Sequence, residues 1–510
     1  MMIVAKMHKN TWTNVHETFI ETIKDLYVVA NDPDIADNLE AYNDTTKGLQ
    51  KLVGDAITTN TPIRMLGAGW SWTKIATIKN GIMIDTKQLN ATLDIQAQWI
   101  LPGFTGDVKK LLFAQCGNGI WELDEQLRKV KLSLKTCGAS NGQTIVGAMA
   151  TGAHGSTIDV GGVQDYVVGM HIIVGPNRHI YLERKSAPIV SASFIQSLDT
   201  ELLQVDNDDL FNAALVSFGS FGIIHGVMVV TEDLFLLECY RRRMPIDDTL
   251  KKVMATLDFS GITLPCGNDR PFHFSVAINP YDMKNGAFVS TFYKRTYTDN
   301  YTKPVHNDEG IGPGADAPAF IGKLLDVAPK LVPGAVTKLL GSGFKPYEKQ
   351  FGTLGEIFDN RTFHGKLLST AIGIPLSVVN QVTDLLLAVN ETNGPFSGLF
   401  CYRFIKKTDA MLGFTHFPDF TCIIELDGIF SKTTQKFYAA VWKKLEDEKI
   451  PFTFHWGKMV DLNLQRIQGM YGAAATDSWI AARNKILDPD AIKAFTNPLL
   501  TQWGLDTGLS

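Results

Sequence analysis

The sequence predicts an α+β protein of more than one domain, on three observations. Short strands and amphipathic helices alternate along the first 235 residues with brief connections. The pattern changes after about residue 235, and residues 300–365 become rich in Gly, Pro and Lys, as in a long irregular insertion. Strand and helix patterns then resume between residues 400 and 456, as in an antiparallel sheet covered by helices. A chain of 510 residues has room for about two to four domains.

The elements follow in order. Thr45–Ile57 reads as a helix because Leu49, Leu52, Val53 and Ile57 share one face. Pro62–Leu66 reads as a strand ending in the turn Gly67-Ala68-Gly69, and Gly81–Asp85 as another strand. Ile120, Leu123, Leu127 and Val130 have helical spacing. Glycine then concentrates: nine of the chain's 44 lie between Gly138 and Gly175, so its location carries more information than its total. Tyr166–Val174 and Arg178–Glu183 read as strands joined at Gly175-Pro176-Asn177. A helix over Asp209–Phe218 and an apolar strand over Ile223–Val230 complete the first half. Beyond the insertion, Leu376–Val389 and Thr434–Lys449 read as helices; 400–405, 411–416, 421–427 and Pro451–Trp456 read as strands.

Composition excludes several classes. With 48 Lys+Arg against 53 Asp+Glu, the net charge of −5 gives no electrostatic case for nucleic acid. The six cysteines include no CxxC pair, so neither a structural zinc site nor any other metal is expected. The opening MMIVAKMHKNTW lacks the charged-then-apolar pattern of a signal peptide, and no apolar run approaches the length of a membrane span. The expectation is a cytoplasmic protein with reduced thiols and no membrane span.

Two motifs carry chemistry. In Arg64-Met-Leu-Gly-Ala-Gly-Trp-Ser-Trp72, a strand ends in two glycines around a small residue. Such a turn exposes successive backbone N–H groups and admits a phosphate, although a plain tight turn has the same pattern. It lacks the Lys of a Walker loop, and Trp72 stands where a dinucleotide GxGxxG would need its third glycine. In Gly142-Gln-Thr-Ile-Val-Gly-Ala-Met-Ala-Thr-Gly-Ala-His-Gly-Ser156, small residues permit close backbone approach, and Thr144, Thr151 and Ser156 add hydroxyls. This favours a ligand cradle over a surface loop.

Together with Ile82-Met-Ile-Asp85, Leu89-Asn90 and Val216-Ser-Phe-Gly-Ser-Phe-Gly-Ile-Ile224, these motifs resemble the FAD-binding domain of the vanillyl-alcohol-oxidase-type (PCMH-type) flavoproteins. His455-Trp-Gly-Lys458, Trp479, Arg483, Asp488-Pro489 and Phe495-Thr-Asn497 resemble the aldonolactone and alditol oxidase branch. The resemblance covers about residues 40–235 and 400–510. It implies a FAD-binding domain of two α/β subdomains over residues 1–235, a substrate-binding cap over 236–464 and a return to the first domain over 465–510.

The resemblance also implies roles. The loop Gly67, Ala68, Gly69, Trp70 and Ser71, with Trp72, would hold the FAD pyrophosphate. Gly142, Thr144 and Gly147, then Thr151, Gly152, His154, Gly155 and Ser156, would run along the pyrophosphate, ribityl and flavin ring. Gly222 and Ile224 would contact the cofactor through backbone. Trp70 stands where many relatives carry a histidine bonded covalently to flavin, so non-covalent FAD is expected. The spacing of Cys137 from Gly142 does not match the doubly linked subfamily, which leaves Cys137 as a buried small side chain.

Over the ring, the resemblance places Arg403 and Lys458 as cations that stabilise negative charge on reduced flavin or a substrate alkoxide. His455 is open between this site and a structural hydrogen bond. Strand periodicity puts Glu425 and Asp427 on one face, either lining a polar cavity, with one acting as base or substrate ligand, or simply solvated. Three departures put the polyol specificity in doubt. Cys401 replaces the family glutamate, Glu425 and Asp427 stand where relatives tend to carry His and Thr, and Ser369–Pro375 lacks an acidic residue.

The expected reaction is hydride transfer from an alcohol carbon of a small hydroxylated molecule to flavin, with dioxygen as acceptor, giving hydrogen peroxide. Ala153 lies where the family is thought to control dioxygen access, but one small residue does not separate oxidase from dehydrogenase. A dehydrogenase, a C–N or ring-forming oxidase on the same scaffold, and a protein keeping FAD only as a structural element are the alternatives. Arg403 and Lys458 argue against the last.

Overall fold

The computed structural model describes residues 1–203, 205–304, 326, 328–343, 345–359, 361 and 366–506. Much of the stretch read as an irregular insertion lies outside the described residues. The parts within it are regular: helices Val332–Gly343 and Leu354–Ile357, and strand Tyr347–Gly352.

The first half builds two sheets. A four-stranded sheet takes Ile3–Met7, Asp25–Ala30, Ile82–Gln88 and Ile63–Leu66 in that spatial order. Both pairings of Ile82–Gln88 are parallel, so the chain needs crossovers. Helix Asn38–Thr58 supplies one of them. It starts earlier than its apolar periodicity because the Asp37 side chain caps it, accepting from the Glu40 N–H at 2.8 Å. The second sheet has six strands, centred on Val167–Ile173 and Ile223–Val230.

The second half is dominated by an antiparallel sheet of eight strands. Its order runs Tyr347–Gly352, Phe235–Met244, Ala287–Thr296, His273–Ile278, Leu399–Lys406, Phe420–Ile429, Leu367–Pro375 and Thr453–Phe454. The strand period divides its two faces. Phe400, Tyr402 and Phe404, with Cys422, Ile424 and Leu426, point into a core shared with helices Val379–Asn393 and Lys432–Asp447. Tyr402 OH bonds Thr383 on the first helix, and Tyr438 OH on the second donates to the Leu426 carbonyl at 2.5 Å. Cys401, Arg403, Glu425 and Asp427 occupy the opposite face.

The expected strand at 411–416 is not formed. Met411 N–H bonds the Asn212 carbonyl in the first half, and Gly413 N–H closes a turn on Ala410. Leu412 and Phe414 are buried beneath this turn, so their alternation reflects burial without a ladder partner.

Four helices between Leu464 and Gln502 return to first-half elements. Trp479 Nε1 donates to the Val216 carbonyl (3.1 Å), Arg483 Nε to that of Ser220 (2.9 Å) and Asn497 Nδ2 to that of Ile75 (3.2 Å). Buried Arg64 reciprocates, donating to the Phe495 carbonyl at 3.5 Å as well as to those of Ile75, Phe218 and Gly219.

Gly222 has a structural reason to be glycine. Its φ is +98°, and a Cβ there would fall 2.4 Å from the Ile173 carbonyl oxygen. Gly222→Ala is therefore expected to cost about 1–3 kcal/mol, from left-handed strain and backbone collision. The check is a thermal melt, in which the variant unfolds several degrees below wild type.

Candidate functional site

The two glycine-rich loops, 75 residues apart in sequence, lie against each other. A Cβ at Gly67 would meet Thr144 Oγ1 at 2.2 Å, and one at Gly142 would meet the Trp70 indole at 2.4 Å. Gly69 has φ +73° and packs on Trp12, so it can be neither bulkier nor right-handed without strain.

The loop amides are the chemical feature. The N–H groups of Gly67, Ala68, Gly69, Ser71, Gly142, Gln143 and Thr144 find no acceptor among the described residues. Gln143 Oε1 is a buried acceptor, also without a partner among them. A converging run of free amides in a cradle that side chains would fill suits a bound anion with a polar body. These residues fit the pyrophosphate-bearing cofactor that the family implies.

The segment Gly142–Ser156 is not one continuous loop. Thr144 begins a helix over Ile145–Thr151, and Gly152, at φ +76°, ends it. Thr151 Oγ1 would lie 3.3 Å from a Cβ at Gly457, so the helix abuts the His455–Lys458 loop. That loop is tied to the Gly67–Trp72 turn as well. Trp72 N–H donates to the Gly457 carbonyl at 2.8 Å and Ser71 Oγ to the same oxygen at 3.2 Å.

Three residues expected at the cofactor also make structural contacts. The Ser156 hydroxyl donates to the Phe274 carbonyl and accepts from Phe404 N–H at 3.0 Å, joining the first half to the eight-stranded sheet. Ile224 pairs with Ile172 within the six-stranded sheet. Gly222 answers to Ile173.

The polar centre forms on the open face of the large sheet. Glu425 is its hub. Arg403 Nε donates to Glu425 Oε2, Lys458 Nζ lies 2.9 Å from Oε1, and His154 Nε2 lies 4.0 Å from Oε1. Lys458 also reaches Asp427 Oδ1 at 3.5 Å, so both carboxylates do share one face. Their environments differ: the Glu425 side chain is 6% exposed and that of Asp427 53%. Ser369 Oγ donates to Asp427 across the strand pair. Cys401 stands directly opposite Glu425, so the carboxylate partner of Arg403 comes from the neighbouring strand.

Charge states follow from these contacts. Burial works to raise the Glu425 carboxyl, but Arg403 and then Lys458 outweigh it and hold the group well below the usual carboxylate range. Burial pulls Lys458 down; Asp427 and Glu425 together raise it above an ordinary lysine. His154 is pushed down to about 4, chiefly by burial, and is neutral at pH 7. Its Nδ1 lies 3.0 Å from the Gly155 carbonyl. His455 is likewise neutral, and its Nδ1 accepts from Gly457 N–H at 3.0 Å. That bond shapes the loop bearing Lys458. Phe414 packs on both imidazoles, at 5.3 and 4.9 Å between ring centres.

Sequence reasoning missed the N-terminal contribution. His16 stacks on Trp72 at 3.7 Å and meets Trp70 edge-on at 5.8 Å. No motif marks it, since an isolated histidine between Val15 and Glu17 has no period to reveal its burial.

Comparisons with known proteins agree with this arrangement. Residues 40–179 match the family described as FAD binding domain. L-gulono-1,4-lactone dehydrogenase of Mycobacterium tuberculosis is 28% identical over 256 residues, 50% of this chain and 48% of that protein. D-arabinono-1,4-lactone oxidase of Debaryomyces hansenii is 24% identical over 211 residues, 41% and 34% respectively. The chain thus spans about half or less of the length of these curated relatives. The crystal structure of cholesterol oxidase from Brevibacterium sterolicum superposes with a TM-score of 0.70 over 98% of this chain and 97% of that one, at 14% identity, a likeness of fold.

The fold and the match over residues 40–179 therefore define a FAD-binding protein of two-domain fold. Within it, residues 40–179 are similar to the family described as FAD binding domain, in keeping with the resemblance to the PCMH-type FAD-linked proteins.

Proposed function

We propose that this chain is a FAD-dependent oxidoreductase that oxidises an alcohol carbon of a sugar-derived lactone or a similar hydroxylated small molecule. The observation that carries the reading is the Arg403–Glu425–Lys458 cluster on the sheet face whose neighbouring loops form the amide-lined cradle. The lactones in the relatives' names support the substrate class.

FAD would accept the hydride. The amides of Gly67–Ser71 and Gly142–Thr144 would hold its pyrophosphate. Arg403 and Lys458 supply fixed positive charge where negative charge develops, with no reorganisation needed at the moment of reaction. Glu425 fixes both cations and, being ion-paired, is a poor proton acceptor. Asp427, partly solvated and oriented by Ser369, is the carboxylate suited to take the substrate hydroxyl proton. The acceptor in this reading is dioxygen, giving hydrogen peroxide. The dehydrogenase name of the mycobacterial relative favours keeping a second reading, with another acceptor.

FAD is held without a covalent bond, because the Trp70 indole offers no nucleophilic nitrogen. The purified protein is expected to be yellow and to release its flavin on acid precipitation. Flavin retained in the pellet overturns non-covalent binding; colourless protein that cannot be reconstituted with FAD overturns the cofactor. Oxygen uptake during turnover with L-gulono-1,4-lactone and D-arabinono-1,4-lactone separates oxidase from dehydrogenase.

A further inference from the structure

The N-terminal hairpin lies outside the stretch matched by the FAD-binding family, yet it wraps the turn Gly67–Trp72. Among the described residues its strands, Thr11–Thr13 and Ile20–Thr22, pair only with each other. The residues between them make the contacts. Val15 N–H donates to the Gly69 carbonyl at 3.0 Å, and Asn14 Nδ2 to the Ser71 carbonyl at 3.1 Å. Trp12 lies under Gly69, where a Cβ would come within 2.9 Å of its ring.

His16 completes the set. It is fully buried, parallel to Trp72 within 9°, and edge-on to Trp70. Lys458 Nζ sits 5.5 Å from the centre of the Trp72 ring, and Trp72 Nε1 donates to the Leu367 carbonyl at 2.9 Å. Trp72 is therefore held at its indole nitrogen by the large sheet and on its face by His16, with the site ammonium over the same ring system. Burial and then Lys458 push His16 down to about 3, against a hydrogen bond to the Trp70 backbone, so the stack is uncharged at neutral pH. A neutral ring adds no repulsion toward the ammonium.

We propose that this hairpin is part of the cofactor site and that His16 is a positioning residue, holding Trp72 and through it the turn Gly67–Ser71 and the Lys458 ammonium. The inference rests on the FAD reading above. It adds that a segment without any flavin motif sets cofactor affinity and electronics.

The test titrates apoprotein with FAD and measures the midpoint potential of the bound flavin, in wild type, His16→Ala and His16→Phe. His16→Ala is expected to weaken FAD binding at least tenfold and to shift the potential. His16→Phe, which keeps an aromatic face on Trp72, is expected to recover most of both. FAD affinity within twofold of wild type and an unchanged potential in His16→Ala overturn the proposal. So does a phenylalanine variant as impaired as the alanine one. If His16→Ala does not fold, Asn14→Ala takes its place, since it loses the bond to the Ser71 carbonyl; unchanged FAD affinity there is equally fatal. A wild-type protein that binds no FAD overturns the site reading and this inference together. Wild-type binding that His16→Ala leaves intact overturns this inference alone.

Discussion

Replacing Glu425 with glutamine is expected to lower the melting temperature by about 5–10 °C, the largest stability effect of any single change at the site. The carboxylate neutralises two buried cations. Its loss leaves Arg403 and Lys458 facing each other in a desolvated cluster, and breaking a buried ion pair from one side costs about 3–5 kcal/mol. The pH dependence provides a second readout. The folded Glu425 carboxyl titrates below its unfolded value, so its contribution to stability is present above the ordinary glutamate range. It is lost as pH falls from about 4.3 toward the depressed folded value. The wild-type protein should show this acid limb, and Glu425→Gln should lack the share that Glu425 contributes. The uncompensated cations should also raise the potential of a bound flavin, because they favour its reduced, more negative form. A melting temperature and acid limb identical to wild type would remove Glu425 from the centre of the electrostatics.

The fold was legible wherever one face of an element is buried against a continuous core. Helix Lys432–Asp447 and strands Leu399–Lys406 and Phe420–Ile429 lie close to their expected positions because each buries alternate or helically spaced apolar residues. The first strands were not legible. Every residue of Ile3–Met7 is exposed, so no alternation marks it, and only the ladder to Asp25–Ala30 makes it a strand. The segment at 411–416 misled in the opposite sense, with alternating apolar residues buried by a turn.

The site divides in the same way. The loops at Gly67 and Gly142 were legible because free amides and close approach demand glycine in a pattern. Glu425 and Asp427 were legible as a pair because the strand period puts them on one face. Their unequal environments were not, since exposure depends on where Lys458 and Arg403 reach. Gly222 and Ile224 carry structural contacts that the sequence does not reveal. The approach of the Ile173 carbonyl to Gly222 and the pairing of Ile224 with Ile172 depend on a strand about fifty residues earlier, which no local pattern marks. His16 lies beyond such reasoning altogether, because its partners, Trp70 and Trp72, are brought to it only by the folded hairpin.

Lys458→Met separates catalysis from stability in the direction opposite to Glu425→Gln. Removing the ammonium leaves Arg403 paired with Glu425, so no buried charge is stranded and the methionine fills a similar volume. The melting temperature is expected to stay within about 2 °C of wild type. The fixed charge at the site, however, falls from two cations and one buried carboxylate to a balanced pair. Preorganised charge aimed at a developing anion is worth about 10²–10³ in rate, so substrate-driven flavin reduction should fall by that factor. Because its carboxylate neighbours raise Lys458 above an ordinary lysine, wild-type activity should not depend on its titration through neutral pH, and the deficit should be constant there. Lys458→Arg retains the charge but not the compact geometry, and should recover only part of the rate. Stopped-flow reduction measured beside thermal melts decides the matter. Unchanged reduction in the methionine variant removes Lys458 from the chemistry. A large loss of stability instead would mean that Arg403 alone does not satisfy Glu425, and that the three groups act as one indivisible cluster.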